Sequence, residues 1–124
     1  TALELVNPKM PATVDAAELM AMNMRGEITD CTLYGPIAFD GAISAEAAWH
    51  KGINSEVCGD VDVLIMPAIE AGNVLYKALV YLANTKVAGI VAGASAPIIL
   101  TSRSDSPEAK LLSIACASVI AANS

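Results

Sequence analysis

Within one short stretch, Ser102, Arg103 and Asp105 bring together a hydroxyl, a guanidinium and a carboxylate, and Glu108 adds a second carboxylate soon after. A guanidinium grips oxyanions through paired N–H donors, a hydroxyl donates to a developing oxyanion, and a carboxylate accepts a proton. Together they suit group transfer at an anionic substrate. Before them, Pro97, Ile98, Ile99 and Leu100 read as a buried strand. After them, Ser106 and Pro107 read as the N-cap and first residue of a helix, where proline's missing amide proton costs nothing. A strand, a polar turn and a helix start form an anion site, because unpaired amides and the helix dipole both favour negative charge. The same pattern also describes a plain capped turn with a solvated arginine.

The elements that must hold this turn follow in chain order. Residues 2–6 read as a strand ended by Asn7-Pro8, with Lys9 in the turn. Thr13 is placed to cap a helix carrying Leu19, Met20 and Met24, which Gly26 closes. Residues 29–34 read as a second strand ended by Gly35-Pro36, and 37–43 as a loop or short turn containing Asp40. Ser44 caps a further helix whose end carries His50 and Lys51, both favourable at its negative pole. Residues 62–66 read as a third strand ended by Pro67; residues 69–73 then make a turn, with Glu70 and Asn73 at the amino end of a helix over 74–84. Helix capping explains both of those residues as well as ligand binding does. Residues 88–92 give a fourth apolar run, and a last helix spans 107–122.

Strands alternating with helices predict an α/β fold with a mainly parallel sheet flanked by helices. The polar motifs all follow predicted strands. In open α/β sheets ligands bind at those carboxyl ends, so a shared crevice is expected.

The 124 residues fit one domain by size, and 55% of them are apolar, so aliphatic side chains fill the interior. A net charge of -6 with seven basic residues argues against nucleic acid as a partner. The uncharged run at 87–102 is broken by glycines, serine, threonine and proline, so no membrane span is expected. Three scattered cysteines suggest neither a disulfide framework nor a zinc site, and read as reduced, buried and cytoplasmic. No metal site is expected. No targeting segment is recognisable, and a start at Thr1 inside a strand pattern suggests a fragment of a longer protein. Glycine-rich nucleotide loops, the Gly-x-Ser-x-Gly elbow and the His-Glu-x-x-His helix are missing from the sequence.

Four motifs occur in order along the chain: Asn7-Pro8-Lys9-Met10-Pro11-Ala12-Thr13, the run from Gly35-Pro36 through Asp40 to Ser44, Glu70-Ala71-Gly72-Asn73-Val74-Leu75-Tyr76-Lys77, and Thr101-Ser102-Arg103. With them the sequence resembles the phosphate acyltransferases, most of all their butyryl-transferring members. The resemblance implies a two-domain, isocitrate/isopropylmalate dehydrogenase-like parent, of which residues 1–124 are the carboxyl-terminal portion. It implies the reaction acyl-CoA plus phosphate gives acyl phosphate plus CoA, with a short acyl chain such as butyryl or acetyl. Coenzyme A, acyl phosphate and inorganic phosphate are then the partners, with coenzyme A a substrate and no separate cofactor, in a homo-oligomer.

The residues fit that chemistry. Arg103 holds phosphate, Ser102 donates to the tetrahedral oxyanion, and Asp105 or Glu108 takes the thiol proton. Asn7, Lys9, Asp40, Glu70, Asn73 and Lys77 are expected to bind substrate. The family's catalytic aspartate aligns with Ala109, which leaves the base open between Asp105 and Glu108. The family also uses upstream arginines, and only Arg25 and Arg103 occur here, so the isolated chain is expected to be weak or inactive. A non-catalytic ligand-binding or oligomerisation domain of the same fold is the alternative.

Overall fold

A computed structural model describes residues 1–123. They form five helices among the described residues: α1 (Pro11–Met24), α2 (Phe39–Ile43), α3 (Ala45–His50), α4 (Ile69–Tyr81) and α5 (Pro107–Ala122). The chain divides into two compact units, Thr1–Gly72 and Asn73–Ser124.

In the first unit, Pro11 sets the start of α1, because its fixed φ is already helical and it has no amide to satisfy. Thr13, expected as the cap, is therefore the third helical residue. Its fully buried hydroxyl turns back, accepting the Asn7 N–H at 2.8 Å and donating to the Met10 carbonyl at 2.8 Å. It ties down the 7–10 turn instead of capping the helix. Residues 39–43, read as loop or short turn, form the short helix α2. Ser44 caps α3 as expected, its Oγ accepting the Ala47 N–H at 3.2 Å. Packing behind that cap is tight. The Gly59 N–H donates to the Ala42 carbonyl at 2.8 Å, and a Cβ on Gly59 would stand 2.5 Å from the Ala45 nitrogen.

Helix α4 starts at Ile69, earlier than the expected 74, so Glu70 and Asn73 lie on the helix and not in a turn before it. Gly72 and Asn73 were read as turn residues. Inside a helix each costs only about 1 kcal/mol or less, which continuing the helix offsets. The helix stops at Tyr81 rather than 84, and Asn84 follows in the left-handed region at φ 52°.

In the second unit, α5 has the expected bounds, and the Ser106 Oγ accepts the Ala109 N–H at 3.1 Å. Buried Ser113 donates to the Ala109 carbonyl at 2.8 Å and accepts the Gly89 N–H at 2.9 Å, pinning the 88–92 run to the helix.

The expected parallel sheet is not formed among the described residues. Their one bridge is antiparallel, Val91 to Ile98, with the Val91 N–H donating to the Ile98 carbonyl at 2.8 Å. Residues 62–66 run without a partner strand among the described residues, and Val63 and Ile65 are each 73% exposed. An apolar run announces that a segment is to be covered but not which strand covers it. Among the described residues the buried apolar ones are all small, Ala42, Ala48, Ala109 and Ala117, and the cysteines expected inside are not buried, with Cys31 exposed and Cys58 and Cys116 partly so. Among the described residues no helix is long and apolar enough to cross a membrane.

Candidate active site

The Ser102–Asp105 turn is closed twice. The Asp105 N–H donates to the Ser102 carbonyl at 3.1 Å, and the Ser102 N–H donates back to Asp105 Oδ2 at 2.6 Å. This reciprocal pair leaves Arg103 exposed in the turn, without an ion-pair partner among the described residues. The hydroxyls of Ser102 and Ser104 lie in hydrogen-bond contact at 3.1 Å. A hydroxyl, a guanidinium and the capped start of α5 thus occur within five residues of one another, 102–106.

Helix α4 holds this turn through successive residues. Tyr76 Oη donates to Asp105 Oδ1 at 3.0 Å, and Lys77 Nζ donates to Ser104 Oγ at 3.3 Å. The Lys77 ammonium also stands 5.1 Å from the Tyr76 ring centre and 5.8 Å from that of Tyr81, within cation–π reach. Burial, and then the bond to Asp105, push the Tyr76 pKa up, so the phenol stays a donor.

Both Asp105 oxygens are therefore engaged, which suits a carboxylate that shapes the turn. Glu108, in the first turn of α5, pairs through Oε1 with Lys86 Nζ at 2.7 Å. Both residues lie in the wall of a cavity of about 440 Å³, which Tyr81, Asn84, Ser104 and Ser106 also line. The Glu108–Lys86 pair and the first residues of α5 thus border one shallow space.

The residues expected to bind substrate fall into both units. Of those in the second, Lys77 reaches the turn, while Asn73 is exposed on α4. In the first unit, Asn7 Oδ1 accepts the Lys9 N–H at 3.0 Å, a local turn that leaves the Lys9 side chain exposed. Asp40 Oδ1 accepts from Lys51 Nζ at 2.7 Å and from the Gly41 N–H at 2.9 Å. Lys51 also bonds Glu4 at 2.8 Å. The Lys51 ammonium lowers the pKa of both carboxylates, and Asp40 first, then Glu4, raise that of Lys51. Glu70 is exposed in the first turn of α4, where it complements the helix dipole. The sequence did not assign Tyr76, Lys51 or Thr13 the bonds they make here: Lys51 was read as complementing the dipole of its helix and Thr13 as a cap. Tyr76 did stand beside Lys77 in one motif, but nothing in the spacing tied it to Asp105.

The family model for phosphate acetyl/butaryl transferase matches residues 2–118. The chain belongs to that family. It is 53% identical over 122 residues to the phosphate butyryltransferase of Clostridium acetobutylicum, which covers 98% of this chain and 40% of that protein. It is 54% identical over 120 residues to the phosphate acetyltransferase of Thermotoga maritima, covering 97% of this chain and 41% of that one. The crystal structure of a branched-chain phosphotransacylase from Enterococcus faecalis V583 superposes with a TM-score of 0.82 at 42% identity, over 95% of this chain and 42% of that one. The chain therefore spans about 40% of the length of the curated relatives it matches, and its fold is similar to that of part of the Enterococcus faecalis structure.

Proposed function

We propose that this chain supplies the Ser102–Arg103 side of an active site that moves a short acyl group between coenzyme A and inorganic phosphate. The observation that carries the reading is the doubly closed turn, which exposes Arg103 beside Ser102 and the N-terminus of α5. Arg103 holds the phosphate oxygens of the acyl phosphate. A carboxylate takes the thiol proton of coenzyme A, and the thiolate attacks the acyl carbonyl. The Ser102 hydroxyl donates to the tetrahedral oxyanion; the C–O bond to phosphate then breaks, leaving acyl-CoA and inorganic phosphate. Glu108 is our choice for the base, since both Asp105 oxygens are occupied while Glu108 pairs with Lys86 through Oε1 alone.

In this reading coenzyme A is a substrate and no separate cofactor is used. Asn7, Lys9, Asp40, Glu70, Asn73 and Lys77 serve substrate binding or the shape of the site in the complete protein. The exposed apolar run 62–66 supports a parallel sheet, of isocitrate/isopropylmalate dehydrogenase type, completed by the rest of a two-domain protein. Its work is cytoplasmic, in a homo-oligomer.

The test is the complete protein assayed with a series of acyl-CoAs and phosphate, following released thiol. Arg103→Ala is expected to raise the KM for phosphate and lower turnover, and unchanged kinetics would remove Arg103 from the site.

A further inference from the structure

The Ser102–Asp105 turn has a tether that comes from elsewhere in the chain. The Asp105 carboxylate takes one hydrogen bond per oxygen, from the Ser102 N–H at 2.6 Å within the turn and from Tyr76 Oη at 3.0 Å on α4. A carboxylate held at one oxygen still turns about its broad terminal torsion; a donor at the other oxygen fixes its plane. The amide that the plane aligns is that of Ser102, next to Arg103. We propose that Tyr76 is a positioning residue for acyl transfer, its hydroxyl acting through Asp105 to fix the turn that presents Ser102 and Arg103. The proposal rests on the reading that these two residues serve the transfer.

The Tyr76 ring has a separate anchor in the Lys77 ammonium over its face. Removal of the hydroxyl alone keeps the group that makes this ring contact. Alanine at 105 offers neither acceptor oxygen, so the tyrosine hydroxyl has no carboxylate left to act through. Deleting the hydroxyl as well then removes nothing further from the turn.

The experiment uses the complete protein with coenzyme A and acetyl or butyryl phosphate as probes. Tyr76→Phe is expected to lower kcat about tenfold, with the KM for coenzyme A and the melting temperature near their original values. Asp105→Ala is expected to lower kcat as well, and the double variant to be no slower than Asp105→Ala alone. Losses that multiply in the double variant overturn the coupling. A Tyr76→Phe protein that does not fold overturns the proposal too, since Tyr76 is then a stability residue. Full turnover in Tyr76→Phe beside a dead Arg103→Ala overturns the positioning role and leaves the site standing. Full turnover in Arg103→Ala strikes the site itself.

Discussion

The Ser102 amide donates to Asp105 Oδ2 at 2.6 Å, and the Asp105 amide donates to the Ser102 carbonyl at 3.1 Å, so these two residues close one turn from both ends. Side-chain closure of this kind gives a surface loop a fixed shape without burying it. Arg103 is presented by that shape, and the capped start of α5 follows it directly.

Asp105→Ala removes the acceptor for both Ser102 and Tyr76. Losing a bond to a charged acceptor costs about 1.5–3 kcal/mol. If that loss falls on the transition state, kcat/KM of the complete protein drops by roughly 10- to 100-fold, as steady-state assay will show. A variant as fast as the original protein would show that the turn keeps its shape without the carboxylate.

Thr13→Val keeps the side-chain shape but strips the buried hydroxyl that accepts the Asn7 amide. An unsatisfied buried donor costs about 1–3 kcal/mol. The expected outcome is a lower melting temperature together with faster hydrogen exchange at the Asn7 amide.

The Lys51 ammonium holds Glu4 and Asp40 below their ordinary carboxylate pKa values. Groups with depressed folded pKa values stabilise the fold above their unfolded pKa, and that contribution is lost as pH falls through the folded one. Acidification below the ordinary carboxylate range should therefore lower the melting temperature, and Lys51→Met should flatten that decline by removing the shift. All three side chains retain solvent contact, so the effect is small and shrinks with added salt. Identical pH profiles for the two proteins would show that the ion pairs do not contribute.

Gly59 adopts φ 83°, and a Cβ there would meet the Ala45 backbone at 2.5 Å. Gly59→Ala combines left-handed strain with a clash against backbone that has no freedom to give, a cost of at least about 2 kcal/mol. Chemical denaturation should show it as a lower midpoint; an unchanged midpoint would mean that the Gly59 loop moves away from α3.

Helix α5 was legible from the sequence to its terminal residues, because Ser106 and Pro107 encode its start locally and the cap needs no distant partner. Ser44 marked α3 for the same reason. Helix α1 was legible as a helix but not in the role of Thr13, since the proline two residues earlier decides the start and only folding brings the threonine hydroxyl to the Asn7 amide. The turn bearing Ser102, Arg103 and Asp105 was likewise readable as a place where chemistry concentrates. What each carboxylate does there was not.

The sequence by itself determined the local starts of helices, the family to which the motifs belong and the stretch on which the site is built, because each of these is encoded by neighbours along the chain. Tertiary structure alone decided that Asp105 is spent on Ser102 and on Tyr76, 29 residues away, that Glu108 faces Lys86, and that Asp40 answers to Lys51. Hydrogen bonds and ion pairs depend on distances of about 3 Å, and no residue pattern fixes such a distance between segments that only the fold brings together.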